Sequence, residues 1–250
     1  MPRIGTRKLH YMLQEKLALH GITMGRDKLF DLLSDYGMLV RRRKRKRIFT
    51  TNSNHPFKKY PNLTRELPVQ RPNCLWVSDI TYISLEDKFC YLNLVTDAYS
   101  RKITGYCLYP TLQKEGTLLA LQQALNTLPG KPEKPLVHHS DRGLQYCCTK
   151  YTALLQSSGI GISMTEKGDP YENAIAERVN GILKGEFALD GEFKSFNHAY
   201  AAVEYAVATY NNLRPHASCN YLAPEAAHQQ AGVLPRRWKK TKKKEVLMPT

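Results

Sequence analysis

Three acidic residues stand in sequence contexts from which a site for divalent metal ions could be built. Asp79 lies within the strand-like segment 76–83, Asp141 directly follows a short apolar run, and Glu177 lies in a segment with helical periodicity, thirty-five residues separating the last two. Carboxylate oxygens are hard ligands of the kind that Mg²⁺ prefers, together with water and substrate phosphates. Two such ions about 3.5–4 Å apart would activate an attacking oxygen and stabilise a leaving one. The pattern therefore indicates metal-dependent phosphoryl transfer.

Each of these carboxylates also has a structural explanation when it is considered alone. Asp79 could be held by hydrogen bonds within its strand, Asp141 could form an Asp-x-Gly turn, and a glutamate in mid-helix is usually solvated. The position of Asp141 just past a strand end, where open α/β sheets bind ligands, favours the metal site. Asp97, Asp169 and Glu172 are rejected as ligands, because the first two suit a turn or a helix cap.

Residues beside the three carboxylates could hold DNA in place. Gly143 lets the backbone turn sharply and stay close to a substrate. Asn173, four residues before Glu177, and Lys184, seven residues after it, share its helix face. We expect Gly143, Asn173 and Lys184 to contact DNA next to the metal ions.

The scaffold that the pattern predicts is an α/β fold with a mixed five-stranded sheet. Strand-like runs at 75–85, 89–96 and 102–109 are joined by short polar turns, which force antiparallel neighbours. The following elements are a crossover helix around 118–128, strands at 136–139 and 160–165, helices at about 149–158 and 171–186, and a last amphipathic helix through 203–210. Three antiparallel strands followed by alternating helices and strands predict helices on both faces of the sheet. This is the order of elements in a ribonuclease-H-like fold.

A small all-α region is predicted in front of this core. Two short helical patterns lie within residues 3–38, with Gly21 and Gly37 placed to end them. They are typical of a helix-turn-helix, with Arg26 and Lys28 at the start of the second helix, where such motifs reach base edges. A helical hairpin that serves only packing is the alternative.

A run of seven basic residues follows the two helices and is expected to contact DNA phosphates. The run consists of Arg41, Arg42, Arg43, Lys44, Arg45, Lys46 and Arg47. The predicted organisation is therefore a helix-turn-helix region with its basic run (1–48), a proline-punctuated linker (49–71), the α/β core (72–230) and a basic tail (231–250).

The charge of the whole chain agrees with a nucleic-acid partner. A net charge of +15 and a pI near 9.5 favour a polyanion, either nucleic acid or an acidic membrane surface. No apolar run approaches the roughly twenty residues of a membrane span, and the N-terminus lacks a signal-peptide core. We therefore expect a cytoplasmic protein that does not act at a membrane. The cysteines and histidines lack zinc-site spacing, so structural zinc is not expected.

Several motifs that occur in order along the chain carry a family resemblance. They are Trp76-Val77-Ser78-Asp79-Ile80-Thr81-Tyr82, Asp97-Ala98-Tyr99-Ser100-Arg101, His139-Ser140-Asp141-Arg142-Gly143 with Gln145-Tyr146, residues 168–178, and Tyr210-Asn211 with Arg214-Pro215-His216. Together they resemble an OrfB-type bacterial insertion-sequence transposase with a retroviral-integrase-like Asp-Asp-(35)-Glu catalytic core, over nearly the whole chain.

The resemblance implies a function and a set of partners. Asp79, Asp141 and Glu177 would be the catalytic residues and the ligands of two Mg²⁺ or Mn²⁺ ions. The enzyme would cleave element ends and join the freed 3′-hydroxyl to another phosphodiester, by a copy-out, paste-in route. The implied partners are terminal inverted repeats, target DNA, further copies of the chain and an upstream-frame protein, all in the bacterial nucleoid.

The sequence departs from the retroviral pattern at two points. Gly181 stands four residues after Glu177, where retroviral integrases often have lysine, so DNA contact there is expected from Lys184. No His-His-Cys-Cys module precedes the core. Two other functions are open alternatives: a ribonuclease-H-like nuclease without strand transfer, which the basic helix-turn-helix disfavours, and an inactive DNA-binding remnant, which the intact acidic triad disfavours.

Overall fold

The core of the protein is one mixed β-sheet, seen in a computed structural model that describes residues 1–40, 55–166 and 173–237. The strands are β1 (Leu75–Leu85), β2 (Phe89–Asp97), β3 (Ile103–Tyr109), β4 (Val137–Ser140), β5 (Gly161–Met164) and β6 (Glu192–Phe193). The sheet order is β3-β2-β1-β4-β5, with the first three antiparallel and the next two pairs parallel. The predicted mixed α/β sheet is confirmed, and its five longer strands agree with the predicted bounds to within one residue.

The sixth strand was not predicted. Its two residues pair in parallel with the end of β1, where Ser84 lies opposite Glu192. A two-residue strand is too short to show the alternation of apolar and polar residues that marks a strand in a sequence. The predicted count of five strands is corrected to six for this reason.

Helices cover both faces of the sheet, as predicted. They are α1 (Thr6–Leu19), α2 (Arg26–Asp35), α3 (Lys114–Leu125), α4 (Leu144–Cys147), α5 (Thr149–Ser157), α6 (Ala174–Glu186), α7 (Phe196–Leu213) and α8 (Pro224–His228). Helices α3, α4 and α5 pack around Trp76 on one face, and α6 and α7 pack over Leu92 on the other. No helix within the three described ranges combines the length and the apolar character needed to cross a membrane.

The two N-terminal helices form the predicted pair and are attached to the core near the end of α6. Gly21 and Gly37 follow the two helices with positive φ angles of 64° and 65°, the conformation in which glycine ends a helix without strain. Lys8 forms an ion pair with Glu186 at 3.0 Å, and the Tyr11 ring stacks on Tyr221 at 4.7 Å. The helix pair therefore has a fixed position beside α6.

The described part of the predicted linker is attached to the core. The backbone nitrogen of Leu63 donates to Ser163 Oγ at 2.9 Å, and that of Asn62 donates to Glu166 Oε1 at 3.0 Å. The side chain of Tyr60 packs against the cluster around Trp76. Residues 61–63 thus lie beside the edge strand β5. The basic run 41–47, most of the basic tail, Asp169 and Glu172 lie outside the described residues.

Candidate active site

Asp79 and Asp141 are brought together by the register of two parallel strands. Val77 of β1 lies opposite His139 of β4, and the two aspartates each follow two residues later. Side chains two residues apart along a strand point to the same face. Asp79 and Asp141 therefore leave neighbouring strands side by side, and both line one small cleft together with Tyr146.

Asp141 is oriented by the backbone that follows it. The Gly143 nitrogen donates a hydrogen bond to Asp141 Oδ1 at 2.9 Å. A Cβ atom at position 143 would lie 3.0 Å from the same oxygen, which is tighter than an ordinary contact. Gly143 is buried and its nitrogen holds the Asp141 carboxylate, and the DNA contact that we expected from it stays a prediction.

Asp79 is half-buried, and it is held from the opposite side by α6. Asn180 Nδ2 donates to Asp79 Oδ2 at 2.8 Å, and Asn173 Nδ2 donates to the Ser78 carbonyl at 3.0 Å. The two amides attach α6 to β1 at the position of Asp79. Asn173 is only 7% exposed and serves this attachment, and the DNA contact that we expected from it stays a prediction.

Glu177 lies on the same helix but does not join the two aspartates in one tight cluster. It is exposed in the first turn of α6, and its charge acts on Asp79. Among residues 1–40, 55–166 and 173–237, no three His, Cys, Asp or Glu side chains converge closely enough to hold one ion. Asp79 and Asp141 therefore line one cleft, and Glu177 is not among the residues that line it.

The electrostatic character of the cleft is set by burial and by like charges. Burial raises the pKa of Asp79 from 3.8 to about 7, and the charges of Asp141 and Glu177 act in the same direction. The hydrogen bond from Asn180 opposes this shift. Ionised carboxylates that repel one another in a poorly solvated cleft create a site that favours a cation.

A polar network beneath the cleft supports β1 and β4. His138 Nε2 lies 2.7 Å from Ser78 Oγ and 2.9 Å from the Tyr151 hydroxyl. Burial lowers the pKa of His138 to about 3, so its ring is neutral at ordinary pH. The nearby Tyr146 hydroxyl is buried and finds no hydrogen-bond partner in the described part of the chain.

Two residues of this site were missed by the sequence interpretation, and one had a usable signal. Asn180 follows Glu177 by three residues, so it shares the helix face on which Asn173 and Lys184 were predicted to lie. Tyr146 belongs to a motif that carries the family resemblance, but no role was predicted for it, because its approach to the cleft depends on the short helix α4.

Of the other predicted DNA contacts, Lys184, Arg26 and Lys28 are among the described residues, and none of them lines the cleft. Lys184 Nζ is 3.6 Å from the centre of the Tyr82 ring, which gives it a cation–π contact. Arg26 and Lys28 are exposed at the beginning of α2, where Arg26 pairs with Asp27 at 2.7 Å.

Asp97, which was rejected as a ligand, is completely buried at the end of β2, where the turn to β3 begins. It accepts hydrogen bonds from the backbone nitrogens of Asn73 and Ser100 and from the Ser100 hydroxyl, at 2.7–2.8 Å. Its hydrogen bonds agree with the interpretation of Asp97 as a turn residue.

Comparison with known sequences identifies the core. Residues 69–170 and 158–224 each match a family described as integrase core domain. A 31 kDa protein of the insertion element IS600 from Shigella sonnei is 36% identical over 228 residues, which cover 90% of this chain and 81% of that protein. The transposase for IS629 from the same organism is 31% identical over 211 residues, which cover 84% and 68% of the two chains.

Other relatives extend further than this chain. A Mycobacterium tuberculosis protein named as a transposase for IS986/IS6110 is 35% identical over 164 residues, which cover 63% of this chain and 59% of that protein. The chain thus spans less than two thirds of the length of that relative.

Solved structures show the same fold at lower sequence identity. The HTLV-2 integrase catalytic core domain in complex with magnesium matches 63% of this chain and 97% of its own, with a TM-score of 0.50 and 21% identity. A chain of the simian T-cell lymphotropic virus intasome in complex with PP2A regulatory subunit B56 gamma matches 94% of this chain and 78% of its own length, with a TM-score of 0.54 and 21% identity. These structures show the fold alone. The family matches and the curated relatives show that the chain belongs to the insertion-sequence transposases that contain an integrase core domain, a family of Asp-Asp-Glu polynucleotidyl transferases.

Proposed function

We propose that the protein cleaves the ends of an insertion sequence and joins the freed 3′-hydroxyl to a DNA phosphodiester. The observation that carries this proposal is the side-by-side position of Asp79 and Asp141, with Glu177 on a helix that Asn180 attaches to Asp79. These are the three positions that the family resemblance assigns to catalysis. A copy-out, paste-in route is part of the proposal.

The residues of the cleft fit Mg²⁺ or Mn²⁺. Asp79 and Asp141 offer hard oxygen donors, and burial together with the charge of Asp141 raises the pKa of Asp79, which a bound cation would oppose. Asp79, Asp141 and Glu177 would hold the ions, which supply charge stabilisation for the attacking and leaving oxygens. Gly143 and Asn180 orient the two aspartates through their hydrogen bonds.

Positive charge outside the cleft would hold the DNA. Arg26 and Lys28 at the beginning of α2 are exposed and suit base or phosphate contact, and Lys184 on α6 suits the strand beside the cleft. The basic run 41–47 would add phosphate contacts. Because two element ends must be held together, we propose that the protein acts as an oligomer on bacterial nucleoid DNA, alone or with an upstream-frame partner.

One assay separates the candidate activities. The full chain is incubated with labelled element-end DNA, a target plasmid and Mg²⁺. Joined products support transposition, nicks without joining support a nuclease, and gel retardation alone indicates a DNA-binding remnant. Asp141→Asn is expected to abolish nicking and joining while DNA binding is kept, and joining by this variant would refute the assignment of the site.

The contribution of the basic run can be measured separately. Each phosphate contact with duplex DNA contributes about 0.9 to the slope of log affinity against log salt concentration. Deletion of residues 41–47 is therefore expected to flatten this slope. An unchanged slope would mean that the run is only solvated.

A further inference from the structure

A basic and aromatic surface lies beside the cleft, and the proposed function does not yet use it. It consists of Arg142 and residues 55–60, and we call it the flanking surface. Arg142 directly follows Asp141 in the chain. Residues 55–60 include two aromatic residues, one histidine and two lysines.

Arg142 is a half-buried cation without a counterion among the described residues. Its Nε atom is shielded from solvent and has no hydrogen-bond partner in the described ranges. Its side chain also takes part in no ion pair there. A guanidinium that has lost part of its water needs an anion or another acceptor to offset the cost. Phosphate matches its planar donors.

The flanking surface is fixed to the core rather than attached only through the chain. His55 Nε2 donates to the Arg142 carbonyl oxygen at 2.9 Å, since a carbonyl can only accept. The Met164 nitrogen donates to the Pro61 carbonyl at 3.4 Å, and the Tyr60 ring packs into the core. Residues 55–60 are therefore held beside the cleft at both ends, before any ligand binds.

Aromatic and cationic side chains lie together on this surface. The rings of His55 and Phe57 lie 5.6 Å apart and are tilted by 53°, and Phe57 is 37% exposed. Lys58 Nζ lies 5.1 Å from the centre of the Tyr60 ring, and the neighbouring Lys59 is exposed. Exposed rings that stack on bases, combined with cations that follow the backbone, are characteristic of surfaces that bind single-stranded nucleic acid.

We propose that the flanking surface binds a single-stranded stretch of DNA that leads into the Asp79–Asp141 cleft. Arg142 and Lys59 hold backbone phosphates, and an unpaired base stacks on Phe57 beside His55. This inference rests on the proposed function, because it concerns the same DNA. It adds that the DNA next to the cleft is bound with its strands separated. Duplex DNA offers the same phosphates but keeps its bases stacked on each other. It would therefore contact Arg142 and Lys59 but not the Phe57 ring.

The experiment measures DNA binding in chelator, so that no chemistry takes place. Two DNAs carry the element end: a blunt duplex, and the same duplex with about five unpaired nucleotides at its tip, within the site size of such surfaces. A 2-aminopurine in the unpaired tip reports stacking through its fluorescence. The full chain is expected to bind the tailed DNA about tenfold more tightly and to quench the 2-aminopurine.

Two variants separate stacking from charge. Phe57→Leu keeps an apolar side chain, and it is expected to lose the quenching and about 5- to 100-fold of the affinity for tailed DNA. Arg142→Gln is expected to lower the salt slope for tailed DNA by about 0.7, the contribution of one single-strand phosphate contact. Arg142→Lys keeps the charge and should restore the slope, and Phe57→Leu still tests the inference if the glutamine variant does not fold.

The matched control is Lys131→Gln. Lys131 is exposed in the segment before β4, at the opposite end of that strand from Asp141, and its replacement should leave both affinities unchanged. If the full chain binds neither DNA, the proposed function fails. Equal affinity for the blunt and tailed DNAs would overturn the present inference. It would also be overturned if the Phe57 and Arg142 variants both kept the full preference for tailed DNA and the full quenching of 2-aminopurine. Either result leaves the proposed function intact.

Discussion

Asp79 and Asp97 lie on the same antiparallel strand pair, and their surroundings differ in the donors that reach them. Asp97 is completely buried, and two backbone nitrogens and one hydroxyl donate to its carboxylate. Asp79 is half-buried, receives one side-chain amide from Asn180, and faces the charges of Asp141 and Glu177. The carboxylate of Asp97 is therefore fully buried with hydrogen-bond donors on both oxygens. The negative charge of Asp79 in the cleft is compensated only in part.

This difference shows why burial alone does not identify a functional carboxylate. A buried carboxylate that accepts several hydrogen bonds contributes to stability, because its charge is compensated within the protein. A carboxylate placed among others of the same charge lowers stability until a cation binds. Replacement of each aspartate by asparagine should therefore have opposite consequences for stability and activity.

The largest effect is expected for activity in Asp79→Asn. The change removes a charge that we propose holds the metal ions, so strand joining should fall by about 10⁴-fold, as for loss of a principal catalytic group. The melting temperature should stay the same or rise, because repulsion with Asp141 is removed. Joining is measured on element-end DNA with Mg²⁺, and unfolding by circular dichroism. Asp87→Asn, in the exposed turn between β1 and β2, is the control. Comparable joining by the Asp79 variant would mean that this aspartate is structural.

The reverse result is expected for Asp97→Asn. The amide nitrogen of asparagine would face a backbone donor, either Asn73 or Ser100, in a site without solvent. The variant loses charge-assisted hydrogen bonds, and two buried donors face each other without an acceptor. Together these changes should lower the free energy of unfolding by about 2–4 kcal/mol. Joining per folded molecule should be kept. Urea unfolding measures the first quantity, and a joining assay at low temperature measures the second. A stable but inactive variant would contradict the comparison.

Asn180→Ala tests how far Asp79 depends on its single amide. Residues that orient metal ligands typically change affinity or activity by about 10- to 100-fold. The variant should therefore join DNA 10- to 100-fold more slowly and need more Mg²⁺. The hydrogen bond from Asn180 lowers the pKa of Asp79, so its loss should raise that pKa. The acidic limb of the pH–rate profile should therefore move to higher pH.

The control for this variant is Asn212→Ala, since Asn212 is exposed on α7 and bonds only within its own helix. Its joining rate and pH profile should match those of the unchanged protein. If Asn180→Ala lost rate with no change in the Mg²⁺ requirement or the pH profile, its amide would serve only the packing of α6.

The fold and the two aspartates could be predicted from sequence because their signals are local. Asp79 in an apolar strand, Asp141 after another, and the short turns between β1, β2 and β3 together specify a mixed sheet. The side-by-side position of the aspartates follows from the parallel pairing of β1 with β4. A strand of two residues carries no such signal, and β6 was missed for that reason.

The partners of the site could not be predicted, because they depend on packing between distant segments. The sequence places Asn173 and Asn180 on the face of Glu177, but only the docking of α6 on β1 decides which one meets Asp79 and which one meets the Ser78 carbonyl. In the same way, proline and polar residues predicted a linker at 49–71, whereas residues 60–63 are attached to the core. The flanking surface arises from that attachment.

The smallest expected effect is a pH dependence of stability in the absence of divalent ions. The pKa of Asp79 is about 7 in the folded protein and near 3.8 in the unfolded chain. Between these values the folded protein keeps a proton that the unfolded chain releases, so stability falls as pH rises through this window. Asp79→Asn has no such group, and its stability relative to the unchanged protein should rise from pH 5 to pH 8 by roughly 1 kcal/mol after solvent screening.

Urea unfolding in chelator at the two pH values measures this difference, and Asp87→Asn should show none because its carboxylate is exposed. Saturating Mg²⁺ should cancel the difference, since a cation bound by the ionised carboxylate stabilises the folded protein at the higher pH. An Asp79 variant whose relative stability is the same at both pH values would mean that Asp79 is already compensated, as Asp97 is. The distinction between the two aspartates would then rest on their catalytic effects alone.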